Sequence, residues 1–123
     1  MSQVSNYRTT EFEGASGVSW LSKGWRALLL YGRRAKAAME QGDIKTQAEM
    51  INRADRLLTI MSGILDTSDG AKLGQSLQTI YSALQFCLFK AIAEGSIQAL
   101  DDYDMALSQL DRNFSDDQER TAA

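Results

Sequence analysis

Three sets of residues in this sequence could carry chemistry: the carboxylates Asp101, Asp102 and Asp104, the single thiol Cys87, and a basic series, Lys23, Arg26, Arg33, Arg34 and Lys36. Three neighbouring carboxylates can share a metal ion or a proton. On a helix, however, these spacings turn them in different directions. They also fall near the start of a helix that opens after Gly95, where acidic side chains favour the macrodipole. A solvated, helix-stabilising role is the expectation. Cys87 flanks a run of core residues, which predicts a buried, inert thiol. With no partner in the chain it cannot form an internal disulfide, and a reducing compartment suits it.

The sequence has no histidine, which removes the commonest general base and the commonest metal ligand. Neither GxxxxGK[ST] nor GxGxxG occurs, so no phosphate cradle is signalled. This inventory predicts a protein that is not an enzyme and needs no cofactor or metal. The basic series differs, because no acidic residue interrupts it between Lys23 and Lys36, whereas the end of the chain is rich in Asp and Glu. Two readings stand: charged faces that attract each other within the fold, or a basic surface for an acidic or carbonyl-rich partner peptide.

The elements that position these residues follow from patterning. The chain has 123 residues, 44% hydrophobic and 24% charged, with no proline. That suits one globular domain, and apolar spacings of three and four without proline predict an all-α fold. A net charge of -3 argues against nucleic acid as a partner. No apolar run approaches the roughly 20 residues that span a bilayer, and no basic segment followed by an apolar one opens the sequence. The expectation is a cytoplasmic protein without membrane insertion.

Residues 1–17, MSQVSNYRTTEFEGASG, lack helical periodicity and read as an irregular N-terminal arm with two aromatic anchors, Tyr7 and Phe12. Four helices are expected over residues 18–114. The first, Val18 to Gln41, has the stripe Val18, Leu21, Trp25, Leu28, Gly32, Ala35 and Met39, and Gly42 ends it. The second, capped by Asp43, runs to about Leu65 with Ile44, Ala48, Ile51, Leu58 and Leu65 inward. DTSDG, residues 66–70, is a turn. The third spans Ala71 to Glu94, and Gly95 breaks it. The fourth, capped by Ser96, carries Ile97, Leu100, Leu107, Leu110 and Phe114 to its end. Residues 115–123 are expected to form a flexible acidic tail. Short links make successive helices antiparallel, so the predicted architecture is an up-down-up-down four-helix bundle.

Two of these helices have more apolar surface than one core needs. In the third, Leu77, Ile80, Tyr81, Leu84, Leu88 and Ala91 share a sector, while Phe86 falls roughly opposite Leu77 and Phe89 roughly 120° from it. In the second, with Ile51 as the centre of the core stripe, Leu57, Ile60 and Ile64 fall on the far side, with Met50 at the margin. Counting out from the turn sets Leu57 near Thr79 and Met50 near Phe86, which predicts one apolar strip along both helices. Either the neighbouring helices cover this face, or it is a groove for a partner helix, with the arm lying over part of it until a partner displaces it.

The order of these segments resembles the FliS family of flagellin-export chaperones over nearly the whole chain, from Tyr7 to Phe114. NYRTTEFEGAS is similar to the family's tyrosine-led arm, and ALLLYGRRAKAAMEQGDI to its leucine-tyrosine stretch, alanine-rich run and acidic turn. INRADRLLTIMSGILD resembles the second helix. GAKLGQSLQTIYSAL resembles the start of the third, with Ile80 and Tyr81 as its leucine-tyrosine pair. LDRNF stands where the family closes on a tryptophan. The chain departs from the pattern at Gly17, which replaces a proline, and at Phe86 and Cys87, which replace a basic pair.

The resemblance implies a cytosolic chaperone that binds the disordered C-terminal segment of flagellin, prevents premature polymerisation and delivers it to the flagellar export machinery. The partner-binding residues expected from the two readings together are Tyr7, Phe12, Met50, Leu57, Ile60, Ile64, Phe86 and Phe89. The competing reading is a helical adaptor or regulatory protein that uses the same groove for another protein, or for a homodimer when free.

Overall fold

The computed structural model describes residues 15–122, with side chains for residues 19–115. Among the described residues are four α-helices and no strand: α1 (Ala15–Gln41), α2 (Ile44–Gly63), α3 (Lys72–Glu94) and α4 (Ile97–Ala122). α1 packs against α2 and α4, and α3 against the same two. The helices therefore surround one core in the order α1, α2, α3, α4, as in a four-helix bundle.

The expected punctuation accounts for most helix ends. The Asp43 carboxylate accepts a hydrogen bond from the Thr46 backbone N–H at 3.1 Å, capping α2. The Ser96 hydroxyl does the same for the Ala99 N–H at 3.1 Å in α4. Gly95 ends α3 in the left-handed region, at φ 61°, which costs a residue without Cβ nothing.

Two ends differ from expectation. α1 begins at Ala15, inside the stretch expected to be an irregular arm. Gly17 lowers helix propensity there but does not prevent a helix, and no proline interrupts the stretch. α4 continues past Phe114 to Ala122, because Gln118, Glu119, Arg120 and Ala122 all favour helix and neither glycine nor proline intervenes.

Trp25, Tyr81 and Tyr103 are the largest fully buried side chains. Trp25 Nε1 donates to Tyr81 Oη at 3.0 Å, joining α1 to α3 across the core. The Phe114 ring meets Trp25 edge-on at 5.1 Å. Tyr103 Oη donates to the Leu28 carbonyl at 2.8 Å, and its ring lies over Gly32, where a Cβ would come within 2.6 Å of it. Burial pushes the Tyr81 phenol up to about 12, and raises that of Tyr103 as well, so both stay neutral, Tyr81 as acceptor and Tyr103 as donor.

The predicted stripe of α3 is the observed one, with Leu77, Tyr81, Leu84, Leu88 and Ala91 buried and Ile80 packed beside them. The α2 stripe needs correction. Ile51, Ala54, Leu58 and Met61 are buried, but Ile44 is 76% exposed and Ala48 is also exposed. Both lie at the start of α2 on the flank that faces α3, and among the described residues no side chain covers them there. Tyr103 was absent from the predicted α4 stripe, although its spacing to Leu100 and Leu107 fits one; its aspartate neighbours disguise it.

The linker between α2 and α3 is held tightly. Asp66 accepts from the Ser68 hydroxyl at 2.6 Å and from its N–H at 3.1 Å, and Gln75 Nε2 donates to the Ser68 carbonyl at 2.9 Å. Gly74 lies against this linker so closely that a Cβ would collide with the Asp66 carbonyl oxygen. Because that obstacle is backbone, Gly74→Ala should destabilise the fold by about 1–3 kcal/mol. Urea denaturation measures this, and a variant as stable as the parent would show that the linker yields freely.

The capping carboxylates also set a pH dependence. The Thr46 hydroxyl and backbone N–H hold Asp43 below the usual carboxylate range, and Ser68 does the same to Asp66. Carboxylates depressed on folding contribute stability above their unfolded pKa, about 3.9, and lose it as pH falls through the folded value. Asp43→Asn keeps a capping oxygen but cannot titrate. Thermal melts between neutral pH and pH about 2 should therefore show a shallower acid loss for Asp43→Asn; identical profiles would remove Asp43 from this account.

Candidate partner-binding surface

α3 exposes its outer side. Phe86 is 64% exposed, Phe89 66% and Ile92 54%. All three belong to a helix whose core stripe is already complete, so their exposure is not a packing defect. Exposed rings of this size are uncommon on a monomer's surface and mark interaction sites when they gather.

The α2 row goes elsewhere. Taking Leu58 as the centre of the buried stripe, Asp55 and Thr59 fall about 60° and 100° to one side, and Leu57 and Ile64 about 100° and 120° to the other. Gln85 of α3 donates to Asp55 at 3.3 Å and to Thr59 at 3.2 Å, so α3 lies on the first side. Met61 lies against Gly24 of α1, so α1 lies on the second. Leu57 and Ile64 therefore look towards α1 and are half-buried, and Ile60 points outward at 59% exposed.

The single strip expected along α2 and α3 is thus divided. Gln85 reaches the level of Leu57, where counting had placed Thr79, because residues 64–71 form an eight-residue link and not a tight turn. Met50 is 7% exposed and part of the core, so it offers a partner little surface. Tyr7 and Phe12 lie outside the described residues.

Two apolar patches result. One follows α3 through Phe86, Phe89 and Ile92, with Ile44 and Ala48 across the open end of the α2–α3 seam. The other joins Ile60, Leu57 and Ile64 to Trp20 of α1, which is 37% exposed. Trp20 precedes Gly24 by one turn and Ile64 follows Met61 by about one, which brings them level. Ile44 and Trp20 were not expected here. Ile92 was legible as the residue three after Phe89, at the edge of the same row.

The charged residues take structural roles. Asp101 pairs with Lys36 at 2.8 Å, Asp104 with Arg33 at 2.7 Å and Asp111 with Arg26 at 3.8 Å. As the α1 number rises the α4 number falls, so these helices are antiparallel. The attraction between two faces is the observed arrangement, and such exposed pairs contribute little stability. Asp102 instead accepts from Gln98 at 2.9 Å. Burial and the nearby Asp102 raise the Cys87 thiol, which keeps it protonated and unreactive. Among the described residues no group of three or more His, Cys, Asp or Glu side chains could hold a metal ion. No described helix is long and apolar enough to cross a membrane.

A family model described as flagellar protein FliS matches residues 1–119 of the chain. Among curated proteins, no match was found.

Proposed function

Since the chain belongs to the FliS family of flagellar proteins, whose role is that of a flagellar export chaperone, we propose that it binds the disordered C-terminal segment of flagellin in the cytoplasm, keeps it from polymerising and delivers it to the export machinery. The observation that carries this reading is the exposure of Phe86 and Phe89 on a helix that already has a complete core stripe. A disordered amphipathic segment lacks enough core of its own to fold alone. Laid as a helix along α3, its apolar face covers the two rings and Ile92 in place of its filament contacts. Part of the gain offsets the ordering of the segment, so binding can protect and still be reversed.

In this reading the bundle follows an up-down-up-down path, which the short α1–α2 and α3–α4 links support. The N-terminal arm then lays Tyr7 and Phe12 over part of the apolar surface when no partner is bound. The divided surface suits a cargo that meets both patches in turn, with Leu57, Ile60 and Ile64 as the second. No step requires a nucleotide, metal or catalytic residue.

Titrating a flagellin C-terminal peptide into the purified protein should raise helicity in circular dichroism beyond the sum of the two components, and light scattering should report a complex of the two chains. A protein that ignores the flagellin of its source organism, and dimerises through α3 instead, would support the adaptor reading.

A further inference from the structure

The outer face between α1 and α2 combines an apolar strip with cations that lack an ion-pair partner. We propose that it is the docking site for an amphipathic helix of a partner whose apolar row is bordered by carboxylates. This deepens the proposed function and rests on its reading of the α1–α2 patch as a partner contact, adding the charge that the partner must carry.

The strip follows from angular position. Taking Leu28 as the centre of the buried α1 stripe, Lys23, Leu30 and Arg34 fall about 120–160° round on one side. That side meets α2, because Gly24 lies on it against Met61. Arg26, Arg33 and Lys36 fall on the other side and pair with α4. Counting from the contact of Gly24 with Met61, Lys23 stands beside Ile60 and Ile64, and Leu30 beside Leu57. Trp20 is 37% exposed, Leu30 46% and Ile60 59%, with Ala27, Leu57 and Ile64 half-buried between them. From Trp20 to Leu30 the strip is about 15 Å long at 1.5 Å per residue, which matches a helix of three turns.

Charge sets the kind of occupant. Lys23 and Arg34 of α1, and Arg56 one turn before Ile60 on α2, make no ion pair with any described residue. The carboxylates of these two helices are engaged elsewhere. Glu40 flanks Lys36 on the α4 side, Glu49 holds Arg53 at 2.9 Å, and Asp55 receives Gln85 on the α3 side. In a chain of net charge -3, this face is therefore both apolar and basic. A helix laid along it covers Ile60, Leu57 and Leu30 with its apolar row. Its bordering carboxylates then meet Lys23 and Arg56 near one end and Arg34 near the other.

Other occupants fit less well. Before Ala15 the nearest carboxylates of the chain are Glu13 and Glu11, which reach about 14 Å at most. Arg34 lies about 28 Å along α1 from Ala15, so its acid comes from outside that segment. A second copy docked by two-fold symmetry would bring these cations against their own kind. A nucleic acid offers phosphates but no apolar row for the strip.

The test uses the full chain and two fluorescent helical peptides with the same leucine row, bordered by Glu in one and by Lys in the other, followed by anisotropy. The Glu peptide should bind about tenfold more tightly or better, and its affinity should fall as salt rises. Lys23→Glu with Arg34→Glu should reverse the preference, and Ile60→Asp should weaken the Glu peptide by about tenfold. These residues are exposed, and circular dichroism verifies that each variant folds. Phe86→Ala with Phe89→Ala should leave the Glu peptide's binding unchanged. Equal binding of the two peptides, a preference that survives the charge reversal, or loss of binding in the phenylalanine variant overturns the proposal. So does binding that appears only after Tyr7→Ala with Phe12→Ala, which would give the face to the arm. A dimer that Ile60→Asp dissolves, or displacement by single-stranded RNA at equal charge, overturns it as well. If a flagellin peptide binds and the Glu peptide does not, this site falls and the proposed function stands; if only the Glu peptide binds, the site stands and flagellin is not its partner.

Discussion

Replacing Phe86 and Phe89 together by alanine should weaken binding of the flagellin C-terminal peptide by about tenfold or more and leave the melting temperature nearly unchanged. The two rings are 64% and 66% exposed, so the free protein loses little packing when they are truncated. In a complex each ring can bury much of its about 150–250 Å². At about 25 cal/mol per Å² that is worth up to roughly 3 kcal/mol per ring, of which about 1.4 kcal/mol already gives a factor of ten. Ile60→Ala tests the second patch separately. Since the two patches share no residue and lie on different flanks of α2, their effects should add if the peptide meets both. Calorimetric titration measures the loss, and thermal melts of the same variants supply the control. A large fall in stability with binding intact would mean that the rings support the fold and that the surface needs no partner.

Trp25→Ala should cost about 3–5 kcal/mol, a large part of the roughly 5–15 kcal/mol that holds a domain of this kind together. Trp25 is fully buried and touches two other helices, α3 through the 3.0 Å bond to Tyr81 and α4 through the Phe114 ring. Truncation opens a cavity at the centre of the bundle, and Tyr81 loses its donor where water cannot replace it. Trp25→Phe separates the two losses: it keeps most of the volume and removes the hydrogen bond, so it should cost far less. Urea denaturation followed by far-ultraviolet circular dichroism measures both variants. If Trp25→Ala cost under about 1 kcal/mol, the core would have to be centred elsewhere.

What the sequence determined by itself was everything that depends on neighbours along the chain. Apolar spacings of three and four placed the helices, Asp43 and Ser96 their starts, Gly42 and Gly95 their stops, because caps and stops act within one turn. The same arithmetic separated the buried row of α3 from Phe86 and Phe89, since angular position about a single helix axis is a local property. What it could not supply was which helix stands beside each flank. Periodicity put Leu57 and Ile64 on the far side of α2, yet α1 stands beside them and half-buries them, and Gln85 bridges the opposite flank. Ile44 fits the α2 stripe by spacing and is exposed because no described helix closes over that end. Met50 lies at the margin of the same stripe and is buried because its flank turns towards α1. Only the order of the helices around the core distinguishes these cases, and that order is fixed by contacts between residues far apart in the chain, to which helical periodicity is blind.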